Sequence, residues 1–376
     1  MKIVLATTSL HQLAGGAERQ AIMLANELAK RGHDVHLLSR DSPTAIPFYK
    51  LDEAVNWHRQ DYGDPFQKAT WLTRIRRALG TRRLMKRIRP DLVVCFQFGV
   101  FIALKSYCLG QQTSGIIGPI VAAERISPQA YDFLTSPTNK QLKLQLLSFA
   151  DHITVQCASY VSQYPKSVAR KVTVVPNPVP PARDRHLANA AGENNTPRRL
   201  LCVGRLCFQK NQAVLVDAFA LLAGELPDWQ LEIVGDGADE ETLRTLVSHH
   251  GLEKRVCFHG VQHDIPFFLQ RSHLFCLPSR WEGFPNALSE ALAHGLPAVG
   301  FKDCMGINDL IQNGINGVLA DGADDAQSLS LALGTLMKDD GARRTMGLAA
   351  AGSVAIFQPK AIYDHWERTL VDVAEK

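Results

Sequence analysis

The sequence lacks the patterns that mark membrane-spanning, secreted or metal-dependent chains. Its longest apolar stretch, Leu92–Leu104, is interrupted by Gln97, and the apolar run after Met1-Lys2 is too short for a signal peptide. The eight cysteines are scattered, mostly in apolar runs, with no CxxC pair and no short His/Cys ligand set. We therefore expect buried free thiols in a reducing cytosol, no metal site and no membrane span.

The sequence also lacks a strong excess of charge of either sign. A formal net charge of +4 over 376 residues does not by itself indicate nucleic-acid binding, and we expect no nucleic-acid partner. A chain of this length usually forms two domains, and 46% hydrophobic residues can supply two cores.

One segment, Lys68–Arg89, lacks acidic residues entirely. Apolar residues (Trp71, Leu72, Ile75, Leu79, Leu84, Met85 and Ile88) alternate with nine basic ones: Lys68, Arg74, Arg76, Arg77, Arg82, Arg83, Lys86, Arg87 and Arg89. Such a segment could lie on an anionic membrane, where each basic side chain contributes roughly 1 kcal/mol, or pair with an acceptor pyrophosphate. The alternative is a solvated helical face.

Apolar strand-like runs alternate with helical patterns along both halves of the chain, which predicts an α/β protein with doubly wound parallel sheets. The predicted helices are Glu18–Lys30, Ala213–Leu222, Glu240–His249 and Pro359–Val373. The predicted strands are Lys2–Ala6, Val35–Leu38, Asp91–Phe96, Gly118–Ala123, Asp151–Val155, Lys171–Val175, Arg199–Val203, Trp229–Val234, Val256–Phe258, His273–Ser279 and Ala298–Phe301. A stretch rich in Pro, Asn and Arg without apolar period predicts a linker at residues 181–198, between domains at 1–180 and 199–355.

The stretch Ser279–Gly295 joins one of these strands to an amphipathic helix. Glu282 follows the strand, Pro285 suits the first helical position, and Glu290 lies about one turn into the helix. The helix-start amides of 283–287 are expected to be free to bind an anion, and each carboxylate to hold sugar hydroxyls at roughly 1.5–3 kcal/mol per bond. The alternative is a helix cap with solvated acids, because the same glutamate spacing recurs at Glu232/Glu240 and Glu367/Glu375.

Two further motifs follow predicted strands. Arg205 and Lys210 flank the loop Gly204–Asn211 and could neutralise a diphosphate, or be ordinary surface cations. Gly15-Gly16 would let the backbone approach a phosphate or sugar, although the full dinucleotide-binding fingerprint is absent.

With these residues assembled, the chain resembles the retaining nucleotide-sugar glycosyltransferases of family 4. The resemblance rests on the order and spacing of several motifs: Gly15-Gly16-Ala17-Glu18, Pro176-Asn177-Pro178-Val179, Val203-Gly204-Arg205, Lys210-Asn211, Val234-Gly235-Asp236-Gly237, Glu282–Glu290 and Asn313-Gly314-Ile315-Asn316-Gly317. It implies the GT-B fold, in which two Rossmann-like domains face each other across a cleft. The first domain would bind the acceptor and the second the nucleotide sugar, while a final helix at 356–376 would cross back to the first.

The resemblance also implies roles for individual residues. Arg205 and Lys210 would bind the donor diphosphate and Glu282 the donor sugar, these three being the catalytic residues, while Glu290 would hold the ribose hydroxyls. Further donor contacts would come from Gly15, Gly16, Gly204, Gly283, Phe284, Pro285, Asn286 and Ala287. Such enzymes typically need no metal or other cofactor, and the leaving diphosphate is thought to help deprotonate the acceptor during front-face attack.

The sequence departs from the family pattern in two places. Where many relatives place an acceptor-side histidine, this chain has Glu124-Arg125, which resembles a variant among transferases that build lipid-linked oligosaccharides. From position alone the pair could face a ligand or form a structural ion pair. A loop that often ends in glutamate here ends in Asp309.

The expected function is therefore hexosyl transfer. A cytoplasmic enzyme, peripheral on the inner face of the cytoplasmic membrane through Lys68–Arg89, would move a hexose or N-acetylhexosamine from a nucleotide diphosphate, UDP rather than GDP. The acceptor would be a glycan attached to polyprenyl diphosphate or lipid A core. The alternatives are a nucleotide-sugar epimerase of the same fold and a non-catalytic, membrane-associated sugar-binding protein.

Overall fold

The structure is a computed structural model that describes residues 1–13, 15–182 and 197–376, so most of the predicted linker lies outside the described residues. The chain divides into two units: Met1–Asn177 with Lys360–Lys376, and Pro178–Pro359. The second unit begins earlier than the predicted boundary because the Val179 amide donates to Phe357 O at 2.8 Å.

Unit 1 is built on a parallel sheet with strand order β3-β2-β1-β4-β5-β6-β7. The strands are β1 Lys2–Ala6, β2 Asp34–Ser39, β3 Asn56–Arg59, β4 Leu92–Phe96, β5 Ile120–Ala123, β6 His152–Val155 and β7 Val172–Val174. The helices that precede the second unit are α1 Gly16–Lys30, α2 Trp71–Ile88, α3 Phe98–Tyr107, α4 Ala130–Leu134, α5 Pro137–Leu146 and α6 Lys166–Ala169, with short 3-10 turns at Leu147–Phe149 and Ala158–Gln163.

Unit 2 repeats this plan with strand order β10-β9-β8-β11-β12-β13. Its strands are β8 Arg198–Val203, β9 Trp229–Val234, β10 Val256–Phe258, β11 Leu274–Leu277, β12 Ala298–Phe301 and β13 Gly317–Ala320. Its helices are α7 Gln212–Ala223, α8 Glu240–His249, α9 Ile265–Arg271, α10 Asn286–Ala293, α11 Ile307–Leu310, α12 Ala326–Met337 and α13 Asp340–Ser353, followed by a 3-10 turn at Ala355–Phe357.

The last helix, α14 Pro359–Ala374, ends the chain, and its residues from Lys360 onward belong to unit 1. Ile362, Trp366 and Leu370 are buried. Glu367 joins α14 to the end of α1, since its carboxylate lies 2.7 Å from Arg31 Nη1 and 2.8 Å from His33 Nε2.

The predicted α/β architecture of two doubly wound parallel sheets is confirmed. Strand and helix boundaries moved by one or two residues at several ends, and β3 was not predicted, because Asn56-Trp57-His58-Arg59 has no continuous apolar run. None of the described helices combines the length and apolar character needed to cross a membrane.

Candidate functional site

The candidate site lies where the strand order of unit 2 reverses. The chain runs outward from β8 through β9 to β10 and then returns to the other side of β8 as β11. Ligands of doubly wound sheets bind at the carboxyl ends of the strands at such a reversal. Here the loop after β8 carries Arg205 and Lys210, and the loop after β11 carries Glu282.

The two loops are fastened to each other by backbone and side-chain bonds. The Arg280 amide donates to Gln209 O at 2.9 Å, and Gln209 Nε2 donates to Trp281 O at 2.9 Å. Asp324 links them again, accepting from Arg280 Nε at 2.9 Å and from Asn211 Nδ2 at 2.5 Å. The loops therefore present their charged side chains from a common framework.

Lys210 and Glu282 form the central contact of the site. Lys210 Nζ lies 2.6 Å from Glu282 Oε1, which also accepts the Ser279 hydroxyl at 2.6 Å. Glu282 is only 4% exposed, so its negative charge depends on these donors for compensation. The stem of Lys210 runs over Gly204, where an added Cβ would lie 3.4 Å from Lys210 Cε.

Glycines bring the loop after β9 against the same framework. Gly235 has φ of 133°, and a Cβ there would lie 2.1 Å from Gly204 O. Gly237 meets Leu206 O in the same way, at 2.2 Å. The Val234–Gly237 motif thus serves close packing beside the site.

The start of α10 differs from the sequence prediction. Pro285 is the N-cap and not the first helical residue, and it has no amide hydrogen. The Asn286 amide donates to Phe284 O at 2.8 Å, because the Gly-Phe-Pro turn closes on itself. The prediction that all amides from 283 to 287 are free is therefore wrong. Within the described parts of the chain, the Ala287 amide donates to no residue.

The other predicted donor residues occupy defined places. Glu290 is half-buried on α10, and its backbone carbonyl lies 2.8 Å from His294 Nδ1. Phe284 is buried edge-on against Phe357, with ring centroids 5.8 Å apart. Their contacts with a donor remain predictions.

Gly15 and Gly16 lie in unit 1, at the start of α1. Gly15 is the N-cap of α1, and a Cβ there would lie 2.1 Å from Glu18 Oε2. The carboxylate therefore folds over this glycine, and a side chain at position 15 would require Glu18 to move. A donor contact at Gly15-Gly16 remains a prediction.

Glu124 and Arg125 follow β5; Glu124 is 2% exposed, whereas Arg125 is half-buried. Burial raises the pKa of Glu124 to about 7, although a hydrogen bond from Tyr131 opposes the rise. Burial lowers the pKa of Arg125 to about 9, which leaves the guanidinium protonated at neutral pH. That group lies over the rings of Phe96 and Trp366, at 5.3 and 5.0 Å.

The structure does not support the alternative of a Glu124–Arg125 ion pair. Among the residues described, no salt bridge joins the two side chains. Glu124 Oε1 and Arg125 Nε also find no hydrogen-bond partner there. The Arg125 Nη1 atom instead makes a long contact, 3.4 Å, with Asn177 Oδ1. The acceptor-side role of this pair stays a prediction.

Two motif residues have structural roles. Asp309 accepts the Gly306 amide at 3.2 Å at the start of α11. Asn316 is fully buried and donates to Leu310 O and to Ser353 Oγ at 2.9 and 2.8 Å. These bonds hold the turns that lead to α11 and β13.

The sequence reasoning missed Ser279 and Gln97. Ser279 lies two residues after β11, within Ser279–Gly295, but only the structure shows that its hydroxyl donates to Glu282. Gln97 follows β4 with φ of 77°, unusual for a residue other than glycine, and accepts the Thr8 hydroxyl at 2.7 Å. The signal was present, because Gln97 interrupts the longest apolar stretch of the sequence.

All eight cysteines are free, and six are buried; the exceptions, Cys207 and Cys257, are half-buried, contrary to expectation. Burial raises the pKa of Cys108 to about 11 and that of Cys202 to about 12, so these thiols are poor nucleophiles. Within residues 1–13, 15–182 and 197–376, no group of three or more His, Cys, Asp or Glu side chains could hold a metal ion.

Comparison with known proteins identifies the family. The family model of Glycosyltransferase Family 4 matches residues 14–183, and that of Glycosyl transferases group 1 matches residues 184–352. The lipopolysaccharide 1,6-galactosyltransferase of Salmonella typhimurium is 28% identical over 294 residues, 72% of each chain.

A second relative aligns over nearly its full length. It is the GalNAc-alpha-(1->4)-GalNAc-alpha-(1->3)-diNAcBac-PP-undecaprenol alpha-1,4-N-acetyl-D-galactosaminyltransferase of Campylobacter jejuni, 25% identical over 377 residues, 99% of each chain. Among solved structures, Anabaena Alr3699/HepE in complex with UDP and glucose has a TM-score of 0.74 and 20% identity, with 99% of this chain and 100% of that chain covered. The two family models adjoin and together match residues 14–352, in agreement with the fold and the strand-end site. The chain therefore belongs to the family 4 (group 1) glycosyltransferases and has their GT-B fold.

Proposed function

We propose that this protein transfers a hexose or an N-acetylhexosamine from a UDP-sugar to a lipid-linked glycan, with retention of anomeric configuration, during synthesis of a surface polysaccharide, oligosaccharide or lipopolysaccharide. The observation that carries the proposal is the Lys210–Glu282 contact at the strand-order reversal of unit 2. A half-buried cation and a buried carboxylate at this edge suit the two halves of a nucleotide sugar, its diphosphate and its sugar hydroxyls.

Lys210 and Arg205 supply the positive charge for the diphosphate. Lys210 has three N–H donors and spends one on Glu282, which leaves two for phosphate oxygens. Arg205 is exposed, and its guanidinium donates to no residue in the described part of the chain. Two cations can compensate a diphosphate, so the proposed reaction needs no metal ion or other cofactor.

Glu282 would hold the donor sugar. Its carboxylate is fixed in place by Lys210 and Ser279 before any ligand arrives, so it pays little ordering entropy when it accepts hydroxyl hydrogen bonds. Glu290 on α10 would accept the ribose hydroxyls. The Ala287 amide, near the positive end of the α10 dipole, would donate to a phosphate oxygen.

The relatives support the finer assignments. The Anabaena protein of similar fold was crystallised with UDP and glucose, which supports UDP as the nucleotide. The Campylobacter relative is named for an undecaprenol diphosphate-linked acceptor, which supports a lipid-linked glycan as acceptor. Retention is typical of the family, with the leaving diphosphate assisting deprotonation of the acceptor.

Helix α2 supports the proposed contact with an anionic membrane. Its apolar residues divide into two sets: Leu84, Met85 and Ile88 are buried, whereas Trp71, Leu72, Ile75 and Leu79 are between 48% and 69% exposed. The exposed set, which we name the α2 stripe, follows the helical repeat along one face. An exposed apolar stripe among basic residues is typical of a helix that lies in a membrane interface.

Two of the nine basic residues do not belong to this surface. Arg77 is buried and donates to the carbonyls of Tyr62, Gly63 and Asp64. Arg82 donates to the carbonyls of Tyr107 and Leu109, at 3.0 and 2.9 Å. The remaining cations that are exposed on α2 or beside it are Lys68, Arg74, Arg76, Arg83, Lys86, Arg87 and Arg89.

The test is an incubation of the protein with a panel of UDP- and GDP-sugars, with and without a polyprenyl diphosphate-linked glycan. We expect a new glycosidic bond only with acceptor, and NMR of the product should show the anomeric configuration of the donor. A new nucleotide sugar without acceptor would indicate an epimerase. Binding of a UDP-sugar without transfer to any acceptor would indicate a sugar-binding protein.

Variants assign the reaction to the site. Glu282→Gln and Lys210→Gln should each abolish transfer. The matched control is the exposed ion pair Lys338–Glu225 of the same unit, with N and O atoms 2.5 Å apart, whose Lys338→Gln and Glu225→Gln variants should transfer normally. Full activity of Glu282→Gln would contradict the proposed site.

A further inference from the structure

A hollow lies at the carboxyl ends of three adjacent strands of unit 1, whereas the site described above belongs to unit 2. Thr7 follows β1, Ser39 and Arg40 lie at the end of β2, and Gln60 follows β3. The opposite wall comes from α2 and α3. Parallel sheets of this type bind ligands outside the carboxyl ends of their strands.

Most polar groups of the hollow are already paired. The Ser39 hydroxyl accepts from Trp57 Nε1 at 2.9 Å, and Gln60 Oε1 accepts the Thr81 hydroxyl at 3.1 Å. Thr7 is different: it is 3% exposed, and its Oγ1 finds no hydrogen-bond partner among the described residues. An unpaired buried hydroxyl costs free energy unless a ligand pairs it.

Arg40 provides the charge of the hollow. Its side chain is partly buried, and the guanidinium donates to no residue in the described ranges. Burial and the nearby charge of Arg77 lower the pKa of Arg40, whereas Tyr107 raises it, and none of the residues that line the hollow is an Asp or Glu. Arg77 itself spends its donors on backbone carbonyls and brings no counter-ion. The hollow therefore holds positive charge without an acid to balance it.

We propose that this hollow binds an oxyanion of the acceptor, a phosphate or a carboxylate, through the Arg40 guanidinium and the Thr7 hydroxyl. The assignment of the anion to the acceptor rests on the proposed function, whereas the anion site itself does not depend on it. A guanidinium binds two oxygens of a phosphate or carboxylate at once, and the Thr7 hydroxyl donates a further bond. The anion could be the phosphate of a lipid or sugar phosphate, or the carboxylate of an acidic sugar.

The test measures thermal unfolding of the full chain in saturating UDP, which occupies the diphosphate site of unit 2. The probes are inorganic phosphate, inorganic pyrophosphate and glucuronate at constant ionic strength. We expect at least one probe to raise the unfolding temperature. Arg40→Gln should lower the affinity for that probe at least about tenfold. Phosphate or pyrophosphate as the effective probe assigns a phosphorylated acceptor, and glucuronate assigns an acidic sugar.

Matched variants separate binding from folding. Arg59→Gln removes an exposed arginine at the neighbouring strand end, outside the hollow, and should leave the probe effect intact. Thr7→Val keeps the side-chain shape while removing the unpaired hydroxyl. It should therefore reduce the stabilisation by the probe without lowering the unfolding temperature that is measured without the probe.

The possible outcomes are distinguishable. If UDP stabilises the wild-type protein but no probe does, or if Arg40→Gln and Thr7→Val respond as the wild type does, the anion site is refuted while the proposed function stands. If UDP itself does not stabilise the protein, the donor site fails, and the probes still test the hollow. If Arg40→Gln misfolds and is therefore no longer stabilised by UDP, the response of Thr7→Val to the probes decides whether the anion site exists.

Discussion

Removing the ammonium of Lys210 should destabilise unit 2 and abolish transfer, and a second substitution should restore only the stability. At the observed 2.6 Å, the attraction between Lys210 Nζ and Glu282 Oε1 is about 6 kcal/mol in an effective dielectric of about 20, much of it offset by desolvation. Lys210→Met leaves the Glu282 carboxylate buried with the Ser279 hydroxyl as a compensating donor. We expect a loss of about 3 kcal/mol, or about 6–12 °C in unfolding temperature.

The double variant Lys210→Met/Glu282→Gln removes both charges and should recover most of the lost stability, although it should remain inactive. The measurement is calorimetric unfolding with transfer assays on the same samples. At the exposed pair Lys338–Glu225, where the side chains are 52% and 66% exposed, Lys338→Met should leave the unfolding temperature almost unchanged. Equal losses of stability at the two pairs, or an active double variant, would contradict a special role for the Lys210–Glu282 contact.

Three other predictions follow from the structure. The double variant Trp71→Ser/Ile75→Ser should bind phosphatidylglycerol vesicles more weakly than the wild type in a sedimentation assay. The control Leu348→Ser, at a residue of similar exposure, should bind as the wild type does. Equal binding by the wild type and both variants would contradict a membrane contact of the α2 stripe. The pKa of Glu124 is raised from 4.5 to about 7, so its contribution to stability is full below pH 4.5 and is lost as pH rises through 7. The free energy of unfolding, measured with denaturant, should therefore fall more between pH 5 and pH 8 for the wild type than for Glu124→Gln. Parallel pH profiles of the two proteins would contradict this. Transfer activity should persist in EDTA. An activity that EDTA removes and added Mg²⁺ or Mn²⁺ restores would contradict a metal-free reaction.

The alternating pattern of the sequence was sufficient to predict the two sheets and most strands, because buried parallel strands read as continuous apolar runs. It failed at β3, a short edge strand with two half-buried and two exposed residues. Edge strands are stabilised by one neighbour, here β2, and their sequences need not be apolar.

The candidate site was partly predictable for the same physical reason. Arg205, Lys210 and Glu282 follow strands, and a doubly wound sheet brings the ends of neighbouring strands together even when they are distant in sequence. The spacing between Glu282 and Glu290 carried no information, since Glu232, with the same spacing to Glu240, lies in an ion-pair network with Arg199 and Arg271.

What the sequence could not predict depends on side-chain direction. Nothing in the pattern showed that the Asn286 amide closes on Phe284 O, or that Arg77 turns inward while Arg76 remains exposed on the same helix. The unpaired Thr7 hydroxyl likewise becomes visible only when its surroundings are known.

We propose that the loops after β8 and β11 form a nucleotide-diphosphate site. The most direct measurement is isothermal titration calorimetry of UDP with the wild-type protein, Lys210→Gln and Lys338→Gln in the absence of divalent metal. We expect saturable binding by the wild type and Lys338→Gln, with affinity at least about tenfold weaker for Lys210→Gln. Equal affinity of the three proteins, or no binding by the wild type, would contradict it.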